Sequence, residues 1–207
     1  MNPLVEAISE MREDDAVRIA NEMLDQGTSA LDILDHCREA MAMVGKRYEA
    51  GQYFVPELIL AGEMLRRISD IVKPRLAEGV AVKKLGKIVI GTVQGDIHDI
   101  GKNIVTFMLD VNGFDVKDLG VDVPVQKFVE AVKEFRPQVV GLSGFLTLAY
   151  DPMKNTIQAL KDAGLREGVK VMIGGGQVDE QIREYANADA FGKDAMAAVA
   201  LARSWTT

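Results

Sequence analysis

The sequence predicts an α/β protein in two parts: a four-helix N-terminal third, then a parallel, doubly wound five-stranded sheet. Residues 1–78 show no strand pattern, whereas strands and helices alternate from residue 87 onward. Apolar runs such as Lys87-Ile88-Val89-Ile90-Gly91-Thr92-Val93 and Val139-Val140-Gly141-Leu142 are nearly continuous, as in strands covered on both faces. Between the two parts, Gly79 and Gly86 bracket a stretch containing Lys83-Lys84, after which the composition changes. The expected division is a helical domain over 1–78, a linker over 79–86 and a sheet domain over 87–207.

Each element has a local reason. Asn2-Pro3 is a helix start, with Asn as N-cap and Pro at the first helical position, and predicts a short helix near 3–11. A second helix near 14–26 is ended by Gly27. Thr28 or Ser29 then caps a longer helix that carries Leu31, Leu34, Met41, Met43 and Val44 and runs to Gly51. Pro56 opens the last helix, whose broad apolar face includes Leu58, Ile59, Leu60, Met64, Leu65 and Ile68. Four helices joined by short turns make a small bundle. In the second part, strands are expected near 87–93, 114–119, 138–143 and 170–174, with a weak one near 189–191. Helices are expected near 101–112, 124–135, 151–164, 178–186 and 194–204.

Composition limits the function. The chain has 207 residues, 48% hydrophobic and 27% charged, enough to bury a substantial core. Its net charge of −7 argues against a nucleic-acid footprint. The excess is uneven: residues 1–80 carry 9 Lys/Arg and 15 Asp/Glu, whereas residues 81–207 carry 15 and 16. An acidic helical surface is solvated or docks a partner enzyme. No apolar run approaches the roughly 18 residues that span a membrane, and no signal-peptide pattern opens the sequence, so the cytoplasm is the expected compartment. Cys37 is alone, so no intrachain disulfide forms, which agrees with a reducing environment.

The chemistry concentrates in Gln94-Gly95-Asp96-Ile97-His98-Asp99-Ile100-Gly101, directly after the first strand. Open α/β sheets bind ligands beyond the C-terminal ends of their strands, where the strand order reverses. A neutral imidazole gives one nitrogen to a metal while its other N–H bonds a carboxylate, which fixes tautomer and ring direction. His98 with Asp96 has that form. Zinc is not the natural choice, since a structural zinc site wants four Cys/His ligands and a catalytic one three, and the chain has two histidines and one cysteine. A metal that arrives with a macrocycle needs only one protein ligand. With strand order 2-1-3-4-5, the loops Gln94 to Gly101 and Ser143 to Thr147 flank one crevice, and Gly174-Gly175-Gly176 ends the fourth strand at the same edge. Those glycines are either a flexible turn or a slot that lets backbone N–H groups approach a bound group.

Asp96-x-His98-x-x-Gly101 is followed after 41 residues by Ser143-Gly144-Phe145 and after a further 28 by Gly174-Gly175. This three-part pattern resembles the signature of vitamin B12-binding domains that displace the cofactor's own base and place a protein histidine on cobalt. The stretch Met43 to Leu58 resembles the helical cap that precedes such domains in methionine synthase and in the corrinoid proteins of methyltransferase systems. The resemblance implies a flavodoxin-like B12 domain behind a helical cap, with cobalamin or a related corrinoid, in its methylated form, as cofactor. It implies His98 as the axial cobalt ligand and Asp96 as its proton-sharing partner, against the alternative that Asp96 caps the following helix. Ser143 and Thr147 would lie near the nucleotide tail or the lower corrin edge. Phe145 stands where the family more often has Leu, and Ala149 where relatives often have a hydroxyl, so the proton relay is shortened here or completed by water.

Tyr48, Val55 and Leu58 read as bundle core by composition, whereas the resemblance places them over the upper corrin face. The ten methionines read as core filling and His36 as a surface ion pair. The implied function is a non-catalytic corrinoid subunit. It accepts a methyl group from a substrate-specific methyltransferase and gives it to a second one, whose acceptor is tetrahydrofolate or a thiol, with a reductive activator as third partner. The 79–86 stretch would be the hinge for uncovering the corrin. The alternatives are the B12 subunit of an adenosylcobalamin isomerase, a B12-dependent sensor and a flavodoxin-like protein with no corrinoid. Methylamines, methanol, methoxyaromatics and betaines all remain open as methyl donors.

Overall fold

The computed structural model describes residues 2–75, 84–176 and 178–206. The chain divides into two compact units, residues 1–83 and 84–207. The first contains helices α1 (Pro3–Ser9), α2 (Glu13–Asp25), α3 (Ala30–Glu49) and α4 (Val55–Val72). Asn2 caps α1 by accepting the Leu4 N–H at 2.8 Å, and Ser29 caps α3 through the Asp32 N–H at 3.1 Å. Helix α1 stops two residues short of the expected end because Met11 takes a left-handed φ of 59°, which turns the chain out of the helix. Helix α3 packs against α1 and α4, and its core is filled by Ile33, Met41, Val44, Met64 and Ile68, all fully buried.

A polar clasp closes this unit. Arg47 Nη1 donates to the Ser9 carbonyl at 2.5 Å and to Tyr53 Oη at 2.7 Å, and Tyr53 Oη donates to the same carbonyl at 2.7 Å. The α3–α4 turn, which needs the left-handed Gly51, is thereby tied to the end of α1.

In the second unit, strands β1 (Lys87–Thr92), β2 (Asp115–Asp118), β3 (Val139–Ser143), β4 (Lys170–Gly174) and β5 (Ala190–Gly192) form one parallel sheet ordered β2-β1-β3-β4-β5. Between them lie α5 (Ile100–Val111), α6 (Val125–Phe135), α7 (Tyr150–Asp162), α8 (Glu180–Ala186) and, last, α9 (Ala195–Thr206). Helices α5 and α9 pack together, as do α6, α7 and α8 in turn. Side chains alternate across the sheet. Val89, Val140, Leu142, Val171 and Ile173 join Phe128, Met153 and Ile157 in one core, which leaves the buried Ile88, Ile90, Val139 and Met172 for the opposite face. This is the parallel, doubly wound sheet that the alternating pattern predicts, in the flavodoxin-like order that the resemblance implies.

The structure adjusts several boundaries. Helix α8 starts at Glu180 because Asp179 caps it, accepting the Ile182 N–H at 3.0 Å. A 3-10 turn, Thr147–Ala149, which the sequence does not announce, leads into α7. Of the expected linker, residues 79–83 lie outside the described residues. Lys84 to Gly86 are held on the sheet unit: the Leu85 N–H donates to the Gly113 carbonyl, the Gly86 carbonyl accepts from the Asp115 N–H, and Lys84 Nζ reaches the Phe114 carbonyl.

Phe128 sets the fit of α6 on the sheet, since a Cβ on Gly91 would come within 3.0 Å of its ring. Phe128→Ala is expected to lower stability by about 3–5 kcal/mol, read from urea unfolding of the full chain. A loss under about 1 kcal/mol would show that this contact is not part of the core.

Candidate functional site

The site is built where β1 ends. Gly95, at φ 85°, turns the chain so that Asp96 points inward and His98 outward. Asp96 is fully buried, whereas the His98 side chain is 48% exposed. Asp96 Oδ1 accepts the His98 backbone N–H at 2.9 Å and lies 2.7 Å from His98 Nδ1. Asp96 Oδ2 accepts the N–H groups of Phe145 at 2.7 Å and Leu146 at 3.0 Å. Burial pushes the Asp96 carboxyl up, but the hydrogen bonds from Leu146, His98 and Phe145 outweigh it and hold it at about 2. An ionised carboxylate only accepts, so His98 Nδ1 carries the proton. Nε2 is left with its lone pair for a ligand.

The ring is held on two more sides. Thr92 Oγ1, fully buried, donates to the His98 carbonyl at 3.0 Å. The Phe145 ring lies against the imidazole with centroids 4.7 Å apart and planes tilted by 31°. Around the imidazole, Ile97 is 72% exposed, Ile100 78% and Phe145 53%, and Leu146 and Leu148 are also exposed. An apolar ledge around one fixed imidazole suits a flat, largely apolar ligand bearing a metal. Among the described residues no group of three or more His, Cys, Asp or Glu side chains is placed to hold a metal alone. A single protein ligand is what a macrocycle-bound metal requires, so the residues fit a corrinoid.

The three sequence segments converge. Ser143 pairs with Thr92 on one side and with Gly174 on the other. Gly175, at φ 120°, has no room for a side chain, since a Cβ would lie 2.2 Å from the Gly144 carbonyl oxygen. The absent side chain thus admits the backbone of the neighbouring loop in this structure. Gln94, Gly101 and Thr147 are exposed along the same edge, and Asp99 is half-buried. The helix-cap reading of Asp96 is corrected: Asp99 occupies the N-cap position of α5, and the Asp96 carboxylate is directed to His98 and the β3 loop. Ala149 is fully buried, and the hydrogen-bond donors on Asp96 are N–H groups with no hydroxyl among them.

In the helical unit the three residues singled out in the sequence differ in exposure. Tyr48 is half-buried and Val55 lies on the surface, but Leu58 is 1% exposed and belongs to the core. The α4 stripe of Leu58, Ala61, Leu65, Ile68 and Val72 repeats at helical spacing and is buried as a unit. The exposed apolar residues at that end are Phe54, Val55, Ile59 and Leu60. His36 Nδ1 lies 3.8 Å from Glu39, as expected of a surface pair.

Comparison with known proteins agrees with this geometry. Two families, each described as a B12 binding domain, match residues 86–202 and 1–73. The chain belongs to the B12-binding family. It is 38% identical over 204 residues to trimethylamine corrinoid protein 1 of Methanosarcina acetivorans, covering 96% of this chain and 93% of that one. It is 38% identical over 190 residues to dimethylamine corrinoid protein 2 of Methanosarcina mazei, covering 91% and 89%. Among solved structures, a cobalamin-binding protein from Desulfitobacterium hafniense matches with a TM-score of 0.84 at 40% identity, covering 99% and 97%. The methanol:cobalamin methyltransferase complex of Methanosarcina barkeri also reaches 0.84, at 28% identity, covering 98% of this chain and 77% of that one.

Four residues around this site carry no motif of their own. Asp122, in the left-handed region at φ 49°, accepts the Gly95 N–H through Oδ1 at 2.7 Å, and its N–H donates to the Asp96 carbonyl at 2.9 Å. Lys102 is buried in the first turn of α5 and pairs with Asp118. The fourth is Thr92. A lysine in an otherwise apolar helix face was the one visible signal.

The Asp96 value gives a pH dependence. Its folded pKa, about 2, lies below the ordinary 3.8, so the stabilisation is present above about pH 4 and is lost as pH falls toward 2. The expected loss is about 2 kcal/mol for the corrinoid-free protein. Asp96→Asn should show that deficit at neutral pH and a flatter acid limb in urea unfolding between pH 5 and 2. Superimposable curves would remove Asp96 from the stability of the fold.

Proposed function

We propose that the chain carries a methyl group on the cobalt of a bound corrinoid between a substrate-specific methyltransferase and a second methyltransferase. The reading rests first on one observation: His98 Nδ1 is engaged by the buried, ionised Asp96, which leaves Nε2 at the centre of an exposed apolar ledge. The corrinoid supplies the cobalt that accepts and releases the methyl group. The chain supplies orientation. Asp96 holds one tautomer and one ring direction, Phe145 limits ring rotation, and the negative charge of Asp96 stays beside the ring whichever protonation state Nε2 takes. With Ala149 in place of a hydroxyl, the proton path is the His98–Asp96 pair, alone or completed by a water.

The methyl donor follows from likeness. Relatives at 37–40% identity, matched over 76% or more of their length, are named for trimethylamine or dimethylamine, which favours a methylated amine over methanol. The second partner delivers the methyl group to a thiol or to tetrahydrofolate, and a reductive activator restores the reduced cobalt. Ser143, Thr147, Gly174 and Gly175 would hold the corrinoid at its nucleotide tail or lower edge, the first two through their hydroxyls.

His98→Ala reconstituted with cobinamide, a corrinoid lacking its own base, should lose the nitrogen hyperfine splitting of the Co(II) electron paramagnetic resonance signal. Retained splitting would sink the assignment of His98. The loaded wild-type chain alone should demethylate neither trimethylamine nor dimethylamine, and should turn over only with added methyltransferases; full turnover by the isolated chain would end the carrier reading.

A further inference from the structure

Lys102 is out of place by every local rule. Its side chain is 2% exposed, and a buried ammonium loses hydration worth several kcal/mol. It sits in the first turn of α5, where the positive end of the helix dipole disfavours a cation. Its partners are Asp118 Oδ2, at the end of β2, and Asn103 Oδ1 at 2.7 Å. Asn103 in turn donates to Asp99 at 3.1 Å.

Asp118 leads into the loop that grips the histidine segment. Its Oδ1 accepts the Gly120 N–H at 2.9 Å, and the Gly120 carbonyl accepts the Thr92 N–H at 2.9 Å. Two residues on, Asp122 bonds Gly95 through its carboxylate and Asp96 through its N–H, and Val123 bonds the Thr92 carbonyl. The 118–123 loop therefore holds the backbone of Thr92, Gly95 and Asp96, the three residues on which the His98 ring depends.

We propose that the buried Lys102–Asp118 pair is a positioning element for His98, anchoring the 118–123 loop so that Asp96 meets Nδ1. This deepens the axial-ligand reading above and rests on it, but its test needs no corrinoid. The chain has two histidines, so the imidazole nitrogen spectrum contains two spin systems, His36 and His98, and His98→Ala assigns them.

Nitrogen-15 NMR of the corrinoid-free full chain above pH 8 should show wild-type His98 mainly as the Nδ1–H tautomer. Lys102→Met, and Lys102→Met with Asp118→Asn, should shift the tautomer ratio toward Nε2–H by about tenfold. The double substitution leaves an acceptor for Gly120 and no unpaired carboxylate. It is expected to recover the melting temperature of the single variant's parent without recovering the tautomer. That split separates positioning from mere stability. If the Lys102 variants do not fold, Asp118→Asn alone should shift the ratio in the same direction. An unchanged His98 tautomer in any folded variant overturns the proposal. If wild-type protein shows the Nδ1–H tautomer but no cobalt-bound nitrogen with cobinamide, the axial-ligand reading fails and the positioning role stands.

Discussion

Everything at this site depends on one buried carboxylate. Asp96 is removed from water, and a lone ionised group there would be prohibitive. It is tolerated because its two oxygens receive four N–H groups, two from the His98 residue and two from the β3 loop. The same bonds that keep it ionised therefore fasten two loops together and set the imidazole. Parallel pairing of β1 with β3 is the geometric requirement, because only adjacent strands bring residue 96 within reach of residues 145 and 146.

Much of this was legible in the sequence. Near-continuous apolar runs identify β1, β3 and β4 because those strands are central and buried on both faces. Strand β5, with three residues at the sheet edge, gave a weak signal for the converse reason. The Asp96-x-His98 spacing was readable as an imidazole and its carboxylate. What it could not convey was the direction of the carboxylate, since a helix cap and a histidine partner fit the same two-residue interval. The β3 backbone N–H groups decide between them, and backbone donors have no sequence signature.

Exposure within the bundle is less legible. Leu58 and Phe54 are both apolar and lie four residues apart, yet one fills the bundle core and the other stands 67% exposed. The turn at Gly51, clasped by Arg47 and Tyr53, sets which of them is covered, and composition does not report where a turn ends. For Gly175 the sequence left a flexible turn and a slot for a bound group both open. That the Gly144 carbonyl excludes a side chain there is a fact of β3–β4 packing.

The exposed ledge can be understood from the same constraint. On the proposed reading, a single nitrogen–metal bond would fix a point, not a plane, and a flat macrocycle held by His98 would need surface beneath it. Polar side chains there would keep water that must be displaced on binding, whereas Ile97, Ile100, Phe145 and Leu148 present area whose burial is favourable at about 25 cal/mol per Å². A folded protein rarely leaves so many large apolar residues open around one polar group without a ligand to cover them. Division of labour follows: Asp96 and Phe145 set the direction of the imidazole, while the ledge supplies area. The loop anchored by Lys102 and Asp118 keeps the two in register, because Thr92, Gly95 and Asp96 are held by it and Ile97 comes next in the chain.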